Sequence, residues 1–273
     1  MDYAEISKEY ATNGFIVIKS LISPEDNKRF LEIAEKYDSG ETTNENISYF
    51  THPIRFFDPR IYKQYSKWLS IQFYKDSLFL SNRVRQPKFK SILSAMQFEG
   101  FKKISRIDSY ISRRSTNDPT EWHTDQAFGG ATHPAEFFGG TSGLMSMKNI
   151  NRLFIHTTPV QYLNGCFSYI PCSHKINISI RKLVNSGKIQ YKPIYLLKDA
   201  VSLVQGEYNE ELLNLCTKEE IDQFIDFGSS ALESDKDFVL ECEAGDAVLF
   251  NDFGYHKGTA PQSNDRVVFR YWY

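Results

Sequence analysis

Short runs of aromatic and β-branched residues, separated by turn formers, recur in the C-terminal half of the chain. Five such runs lie at 152–158, 166–171, 237–242, 247–252 and 266–273. The residues between them include Asn164–Gly165, Gly245–Asp246 and the turn-rich segment 258–264. Runs of this length are typical of strands, and several at such spacing favour a sandwich or a barrel. The pattern therefore predicts a sheet-rich fold.

The N-terminal third has a different pattern. A strand is predicted over 15–19 and a helix over about 24–37, because Ser23 can cap it and Pro24 fits its first position. Amphipathic helices are predicted over 61–80 and 87–98, and residues 102–114 alternate as in a strand. The fold class is therefore mainly β with flanking helices.

One segment interrupts the succession of strands. Residues 174–235 are rich in Ser, Asn and Lys and contain a predicted helix over 209–227. We interpret this segment as a lid-like insertion over one end of the sheets. No repeat, low-complexity tract or flexible linker divides the chain, so we expect residues 1–273 to form a single domain.

Composition narrows the class of partner. The chain has 32 basic and 34 acidic residues, a net charge of −2, so no overall positive field draws it to nucleic acid or an anionic membrane. It contains no apolar run long enough to span a bilayer, and its polar start lacks the features of a secretory signal. Four cysteines without metal-type spacing suggest reduced thiols. We expect a cytoplasmic protein that acts on a small molecule.

A candidate metal site begins in the stretch EWHTDQAFGG, residues 121–130. On a strand, residues two apart point to the same face, so His123 and Asp125 can face a common interior. A third ligand is available at His256, just after an apolar run. Two imidazoles and one carboxylate form the facial triad of non-haem Fe(II) oxygenases. His174 is the alternative third ligand.

An arginine ten residues after His256 suggests the cosubstrate. The turn formers between them predict a hairpin that brings Arg266 close to His256. A guanidinium suits the distal carboxylate of a keto acid whose other end chelates iron, which describes 2-oxoglutarate. Arg270 has the same strand parity as Arg266 and is the alternative anchor.

The chain resembles the phytanoyl-CoA dioxygenase (PhyH) family of Fe(II)/2-oxoglutarate oxygenases. The resemblance rests on segments in the family's order: YATNGFIVIKSLISPED, WHTD, NGCFSYIPCSHK, GDAVLFND, His256 and Arg266. It implies a double-stranded β-helix, the cupin-like jelly roll. It also implies that His123, Asp125 and His256 bind iron and that Arg266 binds 2-oxoglutarate. Two positions depart from the family: Gly258 replaces a frequent small hydroxyl residue, and Cys172 replaces the turn glycine of PGSH.

These observations predict an Fe(II)/2-oxoglutarate-dependent dioxygenase that uses O2, releases succinate and CO2, and hydroxylates a small metabolite or natural product. A cupin-like metal-dependent isomerase or hydrolase that does not use 2-oxoglutarate is one alternative, and a non-catalytic jelly-roll binding protein is another. The insertion and a loop over 127–145 are expected to shape the substrate pocket. His52, His133 and His156 are interpreted as ordinary surface or core residues, with His133, which lies in that loop, as a candidate pocket residue. The sequence leaves the substrate and the oligomeric state open.

Overall fold

The computed structural model describes residues 3–38, 54–56, 71–95, 106–112, 114, 121–124, 151–192, 195–206, 208–234 and 236–272. Its strands are β1 Phe15–Ile18, β2 Ile54–Phe56, β3 Arg106–Ser112, β4 Asn151–His156, β5 Phe167–Tyr169, β6 Val239–Leu240, β7 Ala247–Asn251, β8 His256–Gly258 and β9 Arg266–Trp272. Its helices are α1 Tyr3–Asn13, α2 Pro24–Tyr37, α3 Ile71–Arg83, α4 Pro87–Ala95, α5 Ser173–Asn185, α6 Leu197–Gln205, α7 Asn209–Leu213 and α8 Lys218–Glu233, with a 3₁₀ turn at Lys236–Phe238.

The described strands form two antiparallel sheets. The larger sheet has the order β1-β7-β4-β9-β3-β2, and the smaller one has the order β6-β5-β8. Every strand pair within them is antiparallel. Strand β9 therefore lies between β4 and β3, with the residues of all three strands held in a fixed register.

The two sheets face each other across an aromatic core. Phe167 of the smaller sheet lies 5.3 Å from Phe154 and 4.6 Å from Phe250 of the larger one, measured between ring centroids. Because side chains alternate along a strand, Leu153, Ile155 and their neighbours point the other way and pack with the N-terminal helices. The structure thus has the sandwich form of the predicted sheet-rich fold. Helices hold more of the described residues than strands do, so the flanking helices are a larger component than expected.

The segment predicted as an insertion is largely helical. Helices α5 to α8 pack together around a cluster that includes Trp122, Ile170 and Tyr255. The single helix predicted over 209–227 is two helices, because Thr217 starts α8 with a capping box in which its hydroxyl accepts from Glu220 N and the Glu220 carboxylate accepts from Thr217 N. The insertion helices therefore border the chain segments that carry His123 and His256.

Other predicted elements agree with the structure apart from their ends. Helix α2 begins and ends as predicted, and the Ser23 hydroxyl accepts a hydrogen bond from Asp26 N at 3.2 Å. Helix α1 was not predicted. The strand predicted over 237–242 begins as a 3₁₀ turn, because Phe238 packs against Trp122 in the helical cluster. Positions 61–70 and 96–98 of the predicted helices lie outside the described residues.

Two expectations from composition can be compared with the structure. All four cysteines are buried free thiols. Across the described ranges, no helix combines the length and apolar character needed to cross a membrane.

Cys172 occupies a backbone conformation that suits glycine. Its φ of 64° and ψ of −11° are left-handed, a region that costs a residue with a Cβ about 1–2 kcal/mol. The backbone thus keeps a glycine-like turn although the side chain differs from that of the family. We expect Cys172→Gly to be more stable than Cys172→Ala by about 1 kcal/mol in urea unfolding, although glycine is normally the less stable of the two. A more stable alanine variant would contradict this reading of the turn.

Candidate active site

His123 and His256 meet although they are far apart in the chain. They form an isolated antiparallel bridge in which His123 N donates to His256 O at 3.0 Å and His256 N donates to His123 O at 2.9 Å. Their ring centroids lie 4.8 Å apart, with an angle of 56° between the ring planes. The fold therefore brings together two of the three predicted metal ligands.

Both rings are oriented by backbone carbonyls. His123 Nδ1 lies 2.6 Å from Glu121 O, and His256 Nδ1 lies 2.9 Å from Gly254 O. A carbonyl only accepts, so Nδ1 carries the proton in each neutral ring and Nε2 carries the lone pair. This arrangement fixes the tautomer that binds a metal through Nε2. The histidine pair therefore fits a divalent metal ion.

Asp125, the predicted carboxylate ligand, lies outside the described residues, as do His52, His133 and the loop 127–145. Thr124, the residue before Asp125 in the sequence, is buried. Arg181 of α5, which is also buried, lies 3.5 Å from the Thr124 hydroxyl through Nη2. Within the ranges that the structure describes, no three His, Cys, Asp or Glu side chains form a metal site.

Aromatic rings surround His256 on the side of the sandwich core. Its ring centroid lies 5.3 Å from Phe250, 5.4 Å from Phe167 and 6.3 Å from Tyr169, whose ring is nearly parallel to it. His256 itself is only 4% exposed. These rings limit the access of water to the histidine pair from the core side.

Arg266 is the first residue of β9 and is buried inside the sandwich. Its Nη1 donates to Gly165 O at 2.8 Å and its Nη2 donates to Ser112 Oγ at 3.2 Å. Gly165 has a φ of +74°, and a Cβ there would lie 3.0 Å from Arg266 Cδ. The Asn164–Gly165 turn thus reverses the chain and also packs closely against the Arg266 side chain.

Arg266 approaches the strand of His256 by a different route from the one predicted. Strands β8 and β9 do not form a hairpin, because β8 pairs in the smaller sheet and β9 in the larger one. The turn between them crosses from one sheet to the other, as jelly rolls commonly do. A Cβ on Gly258, two residues after His256, would lie 3.9 Å from Arg266 Nη1. The predicted proximity of Arg266 to this strand is therefore present.

The two alternatives raised by the sequence have other surroundings. Arg270 lies four residues further along β9, with its guanidinium carbon 3.9 Å from the Tyr110 ring centroid and 4.8 Å from that of Phe154. His174 lies in the first turn of α5, where its Nδ1 adjoins Gly14. Burial lowers the pKa of His174 to about 4.

Sequence reasoning missed three residues of this region. Ser112 was predicted only as part of the strand-like segment 102–114, Gly165 only as a turn residue, and His156 as an ordinary residue. The parity of β3 and β9 could have indicated Ser112, since it lies directly opposite Arg266. Trp122, beside His123, packs into the helical cluster and donates from Nε1 to Ala231 O at 3.2 Å.

A family model identifies the chain more specifically. The model described as "Phytanoyl-CoA dioxygenase (PhyH)" matches residues 10–268. The chain belongs to the phytanoyl-CoA dioxygenase family. This membership confirms the predicted enzyme class, an Fe(II)/2-oxoglutarate-dependent dioxygenase, and with it the cofactors predicted for that class.

Solved structures support the same fold for this PhyH-family chain. It is similar to the non-haem α-ketoglutarate-dependent carbocyclase SnoK from nogalamycin biosynthesis, with a TM-score of 0.56 and 15% identity over 98% of this chain and 82% of that one. The epimerase SnoN, solved with Fe3+, α-ketoglutarate and nogalamycin RO, matches with a TM-score of 0.52 and 11% identity, over 99% of this chain and 82% of that one. EctD from S. alaskensis with bound Fe matches with a TM-score of 0.52 and 13% identity, over 98% of this chain and 75% of that one. No curated protein sequence matches the chain.

Proposed function

We propose that this PhyH-family dioxygenase binds one Fe(II) through His123, Asp125 and His256 and hydroxylates a small-molecule substrate. The observation that carries the proposal is the His123–His256 pair, in which both Nδ1 atoms lie against backbone carbonyls. Asp125, two residues after His123, supplies the carboxylate of the triad. These three side chains would hold the ion as the two imidazoles and one carboxylate that are typical of non-haem Fe(II) oxygenases.

Arg266 binds the distal carboxylate of 2-oxoglutarate in this proposal. Its burial removes competing water, which strengthens a charge-assisted hydrogen bond. Gly165 and Ser112 hold the guanidinium at the interior end of the site, close to the strand that begins with His256. Gly258 leaves space beside Nη1 where many members carry a hydroxyl group.

The protein's contribution to the reaction is orientation and exclusion of water. When bound, Fe(II) with 2-oxoglutarate and O2 supplies the oxidising chemistry, in which 2-oxoglutarate becomes succinate and CO2 and one oxygen atom enters a substrate C–H bond. The backbone carbonyls of Glu121 and Gly254 fix the two imidazoles. Phe167, Tyr169 and Phe250 keep water from the core side of His256.

The substrate pocket is assigned to the insertion 174–235 and the loop 127–145. The insertion helices contact the chain next to the histidine pair, and Leu197 N donates to Trp122 O at 3.2 Å. A lid-like role in a single domain is consistent with this contact. The balanced charge of the chain favours a small molecule over a nucleic acid as the occupant.

Turnover with a panel of small metabolites and natural products tests the proposal. We expect succinate release above the uncoupled background with at least one compound, dependent on added Fe(II) and abolished by a chelator. The product should gain the mass of one oxygen. A product that has lost two hydrogens would indicate desaturation or ring closure instead of hydroxylation, and an isomer of unchanged mass would indicate epimerisation. Turnover without 2-oxoglutarate would favour the cupin-like isomerase or hydrolase instead.

A further inference from the structure

His156, at the end of β4, is a fully buried histidine whose backbone hydrogen bonds to Asp246 O and Gly245 N. Its side chain is 0% exposed. Neither Nδ1 nor Nε2 has a hydrogen-bond partner among the residues that the structure describes. Buried polar side chains in native proteins nearly always have a partner, and each one left without costs about 1–3 kcal/mol. A buried imidazole without partners suggests that a bound ligand supplies its hydrogen bond.

The register of the larger sheet places His156 close to the arginines of β9. His156 lies opposite Val268, so Arg266 and Arg270 are its diagonal neighbours on that strand. Phe154, two residues earlier on β4, belongs to the core between the sheets, whereas Leu153 and Ile155 pack toward the helices. His156 therefore points into the same interior space as Arg266.

The imidazole of His156 is neutral in this environment. Burial, followed by the positive charge of Arg266, lowers the pKa of His156 to about 3. A neutral imidazole has one N–H donor and one lone pair. Beside Arg266, a neutral N–H complements an anion without adding another positive charge to the interior.

We propose that His156 donates an N–H hydrogen bond to the distal carboxylate of 2-oxoglutarate, as a second protein ligand beside Arg266. This inference rests on the proposed function. A carboxylate has two oxygens and accepts several hydrogen bonds, so the guanidinium and the imidazole can bind it together. His156 is thus a cosubstrate-binding residue, and its effect should depend on the presence of the distal carboxylate.

Two keto acids distinguish this role from a structural one. Calorimetry of the Fe(II)-loaded protein without oxygen would give the Kd of 2-oxoglutarate and of 2-oxobutyrate, which lacks the distal carboxylate. We expect His156→Leu to weaken 2-oxoglutarate about ten-fold or more, the usual effect of losing a hydrogen bond to a charged group. The affinity for 2-oxobutyrate should stay within about two-fold. His156→Gln, which keeps an N–H donor, should recover part of the loss.

The matched control is His174→Leu, which changes another buried histidine outside this interior space. It should leave both affinities unchanged. If His156→Leu does not fold, His156→Phe removes both nitrogens while keeping a ring, and the same comparison applies. Equal weakening of both keto acids, or no weakening of either, would overturn the inference and leave the proposed function intact. A wild-type protein that binds no 2-oxoglutarate would overturn both.

Discussion

Replacing His256 with alanine should reduce bound iron from one per chain to nearly none and bring 2-oxoglutarate-dependent succinate release to background. His256 supplies one of the two imidazoles in the pair, and its Nδ1 contact with Gly254 O presents Nε2 for bonding. Loss of residues that only orient a ligand costs about 10–100-fold, so loss of a ligand should exceed that range. Iron content after anaerobic loading and desalting measures the effect.

His174→Ala is the matched control for this variant. His174 is similarly buried and was the alternative third ligand. It lies in the first turn of α5, where its side chain adjoins Gly14. We expect it to retain iron and activity, with any effect confined to thermal stability. The assignment fails if His174→Ala loses iron and activity while His256→Ala keeps both.

Replacing Arg266 with alanine should raise the apparent constant for 2-oxoglutarate by about ten-fold or more. Removing one side of a desolvated charge pair costs about 2–5 kcal/mol, and 1.4 kcal/mol corresponds to a factor of ten. The affinity for iron should change much less, because Arg266 is not a ligand. Initial rates of succinate release against 2-oxoglutarate concentration measure the constant.

Two further variants sharpen the test of Arg266. Arg266→Lys keeps the charge but loses the planar fork, so its constant should lie between those of the wild type and Arg266→Ala. Arg270→Gln removes the cation that packs against Tyr110 and Phe154 and should leave the constant near the wild-type value. A large rise for Arg270→Gln with no change for Arg266→Ala would transfer the role to Arg270.

Local patterns predicted the elements better than their arrangement. Strands β4, β7 and β9 and helix α2 were readable because alternation, caps and helical spacing act over a few residues. The break before α8 was not predicted. Thr217 and Glu220 have the spacing of a capping box and could have indicated it, but the continuous apolar spacing across 209–227 favoured a single helix. Helix α1 was missed because its sequence is mostly polar, although Asp2 and Glu5 have the spacing of a helix start signal.

The arrangement of strands depends on contacts that no local pattern contains. The turn formers after His256 predicted a reversal, but they do not specify whether the next strand joins the same sheet or the facing one. The bridge between His123 and His256 likewise depends on the whole topology. Candidate metal ligands could still be proposed from the sequence, because their residue types and the order of the family's motifs point to them without a structure; their role stays a prediction.

His156 was the residue that sequence reasoning could least assign. Its neighbours on β4 are typical of an ordinary buried strand. A role for His156 is indicated only by the register with β9 and by the lack of a partner for either ring nitrogen among the described residues. Both are properties of the folded interior. The sequence alone therefore does not distinguish a buried polar residue that binds a ligand from one that only packs in the core.

A crystal structure of the protein grown without oxygen, with Fe(II) and 2-oxoglutarate, tests the central claim most directly. The anomalous signal of iron should lie within bonding distance of His123 Nε2, His256 Nε2 and the carboxylate of Asp125, with the distal carboxylate of 2-oxoglutarate on Arg266. Iron bound at His174, or 2-oxoglutarate held by Arg270 away from Arg266, would contradict the account.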